Sequence, residues 1–158
     1  LARLLDGGAD IQMIGRRLLV MASEDVGMAY PSAISIVTAC VQAAQMVGMP
    51  EAVINLAQAV VLMAAAPKSN ASYMALEEAM HDIKTKKIDD VPNHLKDTHY
   101  KGAADLGYGG YKYPHAYGGY VKQQYLPDNL YKQGVKYYKP TENGSEEAFK
   151  KYLESLEK

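Results

Sequence analysis

The sequence predicts an all-α protein: a helical bundle, then an irregular segment rich in glycine and tyrosine, then a C-terminal helix. Apolar residues recur every three or four positions through the first half of the chain, which is the period of an amphipathic helix. Residues that cap or break helices punctuate this pattern, and the alternation typical of strands is scarce. The helical period stops near residue 91 and returns only at Ser145.

Three helices are predicted before residue 67. Asp10 is a suitable N-cap for the first helix, and the second begins near Pro31 and ends at Gly48. The apolar stripes consist of Ile11, Ile14, Leu18 and Met21 in the first helix and of Ile34, Val37, Val41 and Ala44 in the second. The third helix, residues 52–66, has only two polar members. Because it is apolar all round, we expect other helices to enclose it, within the domain or across a subunit interface.

A fourth helix is predicted to follow Pro67, with Ser69 or Asn70 as its N-cap. Its charged residues are expected to face solvent. Its narrow apolar stripe consists of Tyr73, Leu76, Met80 and Ile83. Near the end of the sequence, Ser145 can cap a short amphipathic helix. The residues of that helix expected to face inward are Phe149, Leu153 and Leu156.

The chain is predicted to have four parts. Residues 1–8 are typical of the end of a helix whose earlier turns are missing, so we expect a fragment of a longer protein. Residues 9–91 form the helical body, residues 92–144 the extension rich in Tyr, Gly and Lys, and residues 145–158 the C-terminal helix. No stretch reaches the ~20 apolar residues that a membrane span needs, and no membrane partner is expected.

The composition is that of an ordinary globular protein of 158 residues with a formal net charge of −1. This charge argues against a protein that is basic over its whole surface, yet it allows a local basic face. The single cysteine, Cys40, cannot form an intramolecular disulfide, which is typical of a reducing compartment. Its apolar surroundings in the sequence predict an inert buried thiol.

Ten of the 13 tyrosines fall between Tyr100 and Tyr138, among glycines and lysines. Either their rings complete a core, or they form a basic aromatic surface for a partner. Ring packing is favoured for most of them, since an apolar ring with one polar tip fills gaps between helices and loops well. The alternative is contact with DNA, where cations neutralise phosphates and rings stack on bases. The candidate residues for that contact are Lys112, Lys122, Lys132, Lys136, Tyr111 and Tyr113.

No set of residues for catalysis or cofactor binding is predicted in this chain. The phosphate-binding motif G-x-x-x-x-G-K-[ST] is absent, and no nucleophile occurs with a base and an orienting acid. His94, Asp97 and His99 could be imagined as ligands of a catalytic metal. Their spacing differs from that of the common helical ligand pair, and no cysteine accompanies them. We therefore expect no catalytic, cofactor-binding or metal-binding residue here.

Glu24 and Asp25 follow the end of the first helix, where negative charge opposes the helix dipole. Such a conflict indicates a compensating partner. The favoured hypothesis is that Asp25 caps a neighbouring helix. The sharper alternative is a salt link between subunits, from this acidic pair to Arg16 and Arg17.

Three stretches of the sequence resemble one family. They are ASEDVGMAYPSA (residues 22–33), APKSNASYMA (residues 66–75) and the block from residue 111 to residue 146, in which QQYLP and the following YY-x-P are the most specific. These stretches resemble the C-terminal region of the replication-associated recombination, or maintenance-of-genome-stability, AAA+ ATPases, which include the Werner helicase-interacting protein. The similarity extends over nearly the whole chain.

The resemblance implies a fold like the clamp-loader collar and a role in joining subunits, typically as a homotetramer. It implies that the whole protein is a DNA-dependent ATPase, using ATP and Mg, in replication-fork maintenance, recombination and DNA repair, with its ATP-binding and lid domains before Leu1. It further implies a bacterial cytoplasmic, nucleoid-associated location, and DNA and single-stranded-DNA-binding or other replication proteins as partners. The residues expected at the subunit interface are Val53, Leu56, Val60, Met63, Tyr73, Leu76 and Met80.

Overall fold

Seven α-helices and no β-strand occur in residues 1–157, the part of the chain that this computed structural model describes, and the predicted all-α class is confirmed. The helices are α1 (Ala2–Asp6), α2 (Ile11–Met21), α3 (Ala33–Val47), α4 (Ala52–Ala65), α5 (Ala71–Thr85), α6 (Asp128–Lys132) and α7 (Glu146–Leu156). A π-helical turn (Ala22–Val26) and a 3-10 turn (Gly27–Ala29) follow α2, and further 3-10 turns lie at Asn93–Leu95 and Pro114–Tyr117. None of these helices is both long and apolar enough to cross a bilayer.

The chain divides into two compact units. The first unit comprises Leu1–Glu78 together with the chain from Tyr137 onward, and the second comprises Ala79–Lys136. Helix α5 begins in the first unit and ends in the second. The second unit is therefore an insertion into the sequence of the first.

The core of the first unit is formed by α2, α3 and α4. Asp10 caps α2 as predicted, since its carboxylate accepts hydrogen bonds from the backbone N–H groups of Gln12 (3.0 Å) and Met13 (3.3 Å). Gly15 allows α2 to approach α3 closely, because a Cβ there would lie 2.6 Å from Cγ1 of Val41. The larger buried side chains are Ile14, Leu18, Val26, Val37, Cys40, Val41, Leu56 and Met63.

Helix α4 is covered on one side only, and the expectation that it is enclosed all round is not met within the described residues. Its inward side carries Ala52, Leu56, Ala59 and Met63. On the outward side, Ile54 and Val61 are 67% and 66% exposed. The reason is geometric: α2 and α3 contact one face of α4, and no described helix covers the opposite face.

The predicted apolar stripe of α5 forms, and it faces outward rather than into a core of this chain. Its four members, Tyr73, Leu76, Met80 and Ile83, are all exposed. The helix buries a small residue and a polar residue, Ala71 and Asp82. Helix α7 forms as predicted, but its apolar side is poorly covered. Phe149 and Leu153 are exposed, because α7 is anchored through its first residue rather than along its length.

The first residue of α7 lies where three segments of the first unit meet. We call this place the loop junction, and it comprises residues 25–29, 67–70 and 141–146. Three hydrogen bonds to backbone carbonyls tie the segments together. They join Ser69 N–H to the Asp25 carbonyl (2.8 Å), Ser145 N–H to the Ala29 carbonyl (2.8 Å) and the Asn143 side-chain amide to the Lys68 carbonyl (2.9 Å). Sequence-distant loops are thus held by groups that helices leave unpaired.

Glu146, the first residue of α7, is fully buried at the loop junction. One carboxylate oxygen, Oε1, accepts from the Tyr138 hydroxyl (2.8 Å), and Oε2 accepts from the backbone N–H (3.0 Å) and the hydroxyl (2.5 Å) of Thr141. Burial raises the pKa of Glu146, but hydrogen bonds from Ser69, Thr141 and Tyr138 outweigh burial and hold this pKa below its ordinary value. Burial, together with the bond to Glu146, raises the pKa of Tyr138 to about 12.

We expect acid to destabilise the first unit through Glu146. Because its pKa is lower in the folded chain, its contribution to stability is complete above the unfolded value, about 4.3, and is lost as the pH falls through the folded value. In Glu146→Gln, the side-chain NH2 group faces donors from Tyr138 or Thr141, where the carboxylate oxygens accepted hydrogen bonds. This substitution should lower the free energy of unfolding at pH 7 by about 2–4 kcal/mol, and by less below pH 4. Urea denaturation between pH 3 and 7 measures both.

The matched control is Glu147→Gln, the exposed neighbour that pairs with Lys151 at the surface. Its cost should stay below about 0.5 kcal/mol at all these pH values. Equal losses for the two variants would show that the buried carboxylate is not the source of the acid sensitivity.

Gly144 provides a steric test of the same junction. Its φ is +54°, and a Cβ there would overlap the carbonyl oxygen of Ala29 and lie 2.7 Å from Cγ of Pro67. Gly134 has a similar φ of +66°, but nothing lies within 4 Å of its Cβ position. We expect Gly134→Ala to lower the free energy of unfolding by about 1 kcal/mol from backbone strain alone. Gly144→Ala should lower it by at least about 3 kcal/mol, because steric overlap is added to the strain. Equal shifts in the melting temperatures of the two variants would refute the close packing at residue 144.

Candidate functional site

The first unit exposes large apolar side chains on α4, on the turn before it and at the end of α3, and we call this set the α4 face. It consists of Met46, Met49, Ile54 and Val61, which are 57–87% exposed. The one charged residue in the turn is Glu51. Because large apolar side chains rarely cluster at a solvent-exposed surface without a partner, this face is suited to contact with another protein surface.

The residues expected at a subunit interface are divided by the structure. Leu56 and Met63 lie in the core of the chain itself, and Val53 and Val60 are half-buried beside it. Tyr73 and Leu76 are exposed on the part of α5 that belongs to the first unit, and we call this pair the α5 face. Met80 is also exposed, in the second unit. The exposed residues are therefore the ones available for a partner.

An open apolar groove of 660 Å³ adjoins the α5 face in the first unit. It lies between α2, α3 and the start of α5, with Tyr73 at one side and the carboxylate-bearing Glu24 among its lining residues. The other lining residues are Leu19, Val20, Ser23, Ile34 and Ser72. The groove extends the apolar surface around Tyr73, so the side chain of a partner can be received there.

The charged residues near α2 do not pair with one another within residues 1–157. Arg16 and Arg17 are exposed, and Arg17 lines a second apolar groove, of 400 Å³, whose other cation is Lys68. Glu24 and Asp25 are exposed as well. The start of α5 is linked to Asp25 through the backbone carbonyl of Asp25, and no hydrogen bond of its carboxylate is found in this part of the chain. Helix capping by this carboxylate is therefore not observed, and the salt link between subunits stays a prediction.

The second unit displays most of its tyrosine rings. Seven of the ten tyrosines from Tyr100 to Tyr138 are exposed, so the expectation that most of these rings fill a core is not met within this chain. The exposed seven are Tyr100, Tyr111, Tyr113, Tyr117, Tyr120, Tyr125 and Tyr131. The cause is that this unit has almost no core to complete. Its buried apolar residues are Ala103 and Leu130.

Gln123 fixes the loop that carries five of these rings, residues 111–125, which we call the tyrosine loop. Its side-chain amide accepts a hydrogen bond from the backbone N–H of Lys112 (3.1 Å) and donates one to the Lys112 carbonyl (2.8 Å). The same amide nitrogen lies 3.0 Å from the Tyr125 hydroxyl. Two segments eleven residues apart are thereby joined side by side. Tyr111 and Tyr113 flank the clamped residue.

Gln124 and His94 secure the far side of the tyrosine loop. The His94 imidazole Nε2 lies 2.7 Å from the Gln124 carbonyl, and the Gln124 amide donates to the Leu126 carbonyl (2.8 Å) and to the Asp128 carboxylate (2.7 Å). The hydrogen bond from Gln124 and, after it, the charge of the nearby Lys132 hold the pKa of Asp128 below its ordinary value. Both glutamines of the QQYLP stretch are thus loop-fixing residues.

The four lysines that are candidates for contact with DNA are not equivalent. Lys112 and Lys122, in the tyrosine loop, are exposed and make no ion pair within residues 1–157. Lys132 lies 3.6 Å from Asp128, and Lys136 has an interaction partner of its own. The structure therefore places two of the four lysines, with Tyr111 and Tyr113, in one clamped loop.

Two further polar pairs of the second unit join residues close in sequence, Lys96 with Asp90 and His99 with Asp97. Lys96 lies 2.5 Å from Asp90 and 4.8 Å from the centre of the Tyr108 ring, and its hydrogen bond holds the pKa of Asp90 below its ordinary value. The Asp97 carboxylate is hydrogen-bonded to both the backbone N–H and the imidazole of His99. Both bonds lower the pKa of Asp97, and the backbone N–H is the larger cause. No group of three or more potential metal ligands occurs among residues 1–157.

Sequence reasoning missed two features: the role of Glu146 and the role of Gln123. A glutamate at the start of a helix is ordinary, and nothing in the sequence around Glu146 indicates burial. For Gln123 a signal exists, since two adjacent glutamines lie among tyrosines, glycines and prolines with no helical period. Amides in such a segment can replace the missing backbone hydrogen bonds.

Comparison with known proteins gives consistent matches. The family described as MgsA AAA+ ATPase C terminal matches residues 1–157. The chain is 52% identical to replication-associated recombination protein A of Bacillus subtilis over all of its own length, and 50% identical to an uncharacterized AAA domain-containing protein of Mycobacterium tuberculosis over 99% of its length. It is 36% identical to the ATPase WRNIP1 of Dictyostelium discoideum over 88% of its length. The chain spans 38%, 34% and 16% of the lengths of these three relatives.

Proposed function

Because this chain belongs to the family of MgsA AAA+ ATPase C-terminal domains, we propose that it joins copies of a DNA-acting ATPase into a homotetramer. The whole protein then works in replication-fork maintenance, recombination and DNA repair. The name of the Bacillus subtilis relative, replication-associated recombination protein A, supports the link to replication and recombination. Binding and hydrolysis of ATP with Mg belong to the part of the protein outside these residues. Its location is the bacterial cytoplasm at the nucleoid, and replication proteins, including those that bind single-stranded DNA, are its partners.

The observation that supports assembly is the apolar surface of the first unit. The α4 face and the α5 face together expose six large side chains, none of them charged. Full burial of such a side chain contributes about 1.5–3 kcal/mol, so covering the six supplies on the order of 10 kcal/mol. This is comparable with the roughly 4–15 kcal/mol that association costs in lost freedom of motion. Covering both faces with a second copy of the chain therefore offsets much of the cost of association.

The test of assembly is the mass of the chain in solution. We expect light scattering at micromolar concentration to give a mass several times that of the 17.3 kDa monomer. Leu76→Glu, at a position 60% exposed on the α5 face, should shift the equilibrium towards smaller species by at least ten-fold in Kd.

Met74→Glu is the matched control. Met74 is 41% exposed, lies two residues away and, at 100° per residue, faces the other side of α5. This variant should leave the mass unchanged. A wild-type chain that is monomeric at these concentrations contradicts the proposal, as do two glutamate variants with the same mass.

A second candidate function is direct contact with DNA through the second unit. The exposure of Tyr111, Tyr113, Lys112 and Lys122 favours it. The unit has nine lysines, six aspartates, no arginine and no glutamate. A local positive charge of this kind attracts phosphates although the whole chain has a formal net charge of −1.

This second function predicts that the affinity for DNA depends on salt and on these lysines. Substituting Lys112 and Lys122 together with alanine should weaken binding about three- to ten-fold at 50 mM salt and flatten its dependence on salt concentration. Changing Lys150 and Lys151 of α7, which pair with Glu142 and Glu147, should have a smaller effect. Fluorescence anisotropy with labelled DNA measures both, and equal effects of the two pairs would contradict a site in the tyrosine loop.

A further inference from the structure

We propose that the tyrosine loop is a stacking surface for single-stranded nucleic acid, on which exposed rings rather than lysines carry most of the affinity. This inference rests on the second candidate function and names its substrate class. The loop belongs wholly to the second unit. Its five exposed rings are those of Tyr111, Tyr113, Tyr117, Tyr120 and Tyr125, which are 40–61% exposed.

The charge pattern selects a polyanion as the partner. No acidic residue occurs between Asp105 and Asp128 in the sequence. Lys112 and Lys122 lie within that stretch and form no ion pair with any of residues 1–157. Aliphatic residues are few there, so the surface presents flat rings and cations rather than an apolar groove. Nucleic acid meets this chemistry with base faces and phosphates.

The rings select a single strand over a duplex. A tyrosine ring stacks on the face of a base, and in a duplex those faces are covered by neighbouring base pairs. Two lysines neutralise few phosphates, so the charge alone gives weak binding. Each stacked base, in contrast, changes affinity by about five-fold to about 150-fold when its aromatic partner is removed. Two or three occupied rings are therefore sufficient for useful binding.

Gln123 makes the surface rigid before the ligand arrives. Its two hydrogen bonds to the backbone of Lys112 hold the segment with Tyr111 and Tyr113 against the segment with Lys122 and Tyr125. The Tyr113 ring already lies against the imidazole of His115, with 5.0 Å between ring centres. Because the backbone that carries the rings is held in place, binding a strand costs less ordering of the loop. Gln123 is thus a positioning residue.

The main test measures the binding of labelled oligothymidine to the chain. Its readouts are anisotropy and the quenching of tyrosine fluorescence, which is observable because the chain has no tryptophan. Replacing Tyr111 and Tyr113 together with alanine should weaken binding by at least ten-fold, whereas replacing both with phenylalanine, which keeps the ring faces, should change it less than three-fold. The control is Tyr152→Ala, at a ring 56% exposed on α7, which should bind as the wild type does.

Further arms separate the alternatives. Oligouridine should bind as oligothymidine does, a duplex of equal length at least ten-fold more weakly, and the plot of log affinity against log salt should have a slope of about −1.4, as expected for two neutralised phosphates. Gln123→Ala should weaken binding with little change in the melting temperature. Duplex binding as tight as single-strand binding, alanine variants that bind as wild type, or a proline-rich peptide bound in place of the oligonucleotide would each overturn the proposal.

The test of the stacking surface and the test of assembly can fail independently of each other. Light scattering on the same samples should show that the tyrosine-loop variants keep the mass of the wild type. A monomeric chain that still binds oligothymidine refutes assembly alone. An assembled chain that does not bind it refutes the stacking surface alone.

Discussion

The fold of the first unit depends on one buried carboxylate. Glu146 accepts hydrogen bonds from Ser69, Tyr138 and Thr141, so it joins the segment before α5, the irregular chain before α7 and α7 itself. Around it, backbone bonds from Ser69 and Ser145 reach the turn after α2. A carboxylate so fully bonded stays ionised although it is buried. Hydrophobic packing alone does not hold α7, since that helix buries little of its own apolar side.

The two units use their apolar and aromatic residues in different ways. In the first unit, α2, α3 and α4 bury one side of each helix, and the excess apolar surface of α4 and α5 remains outside. In the second unit, hydrogen bonds from side-chain amides replace a core, and tyrosine rings lie on the surface. The first arrangement is suited to contact between protein surfaces. The second is suited to ligands that have flat faces.

Local signals in the sequence predicted local structure well. Asp10 lies where an N-cap carboxylate is expected and caps α2, and the four main helices begin and end close to the predicted residues. Periodicity predicted the stripe of α5 but not its direction, because an apolar face has the same spacing whether it meets its own core or another molecule. Glu146 and Gln123 could not be predicted, since each acts on residues distant in sequence.

The order of segments along the chain has a consequence for synthesis. The first unit is interrupted after Glu78 and resumes at Tyr137, so its helices leave the ribosome well before the residues that complete the loop junction. Until Glu146 emerges, the hydroxyl of Ser69 and the carbonyl of Ala29 lack their final partners. The loop junction is incomplete during this time. The interval is the time needed to translate the 68 residues from Ala79 to Glu146, a delay of about 3–14 s at the usual rate of bacterial and eukaryotic ribosomes. The outward side of α4, which the complete fold also leaves exposed, is therefore open to chaperones and to sister chains before the loop junction forms.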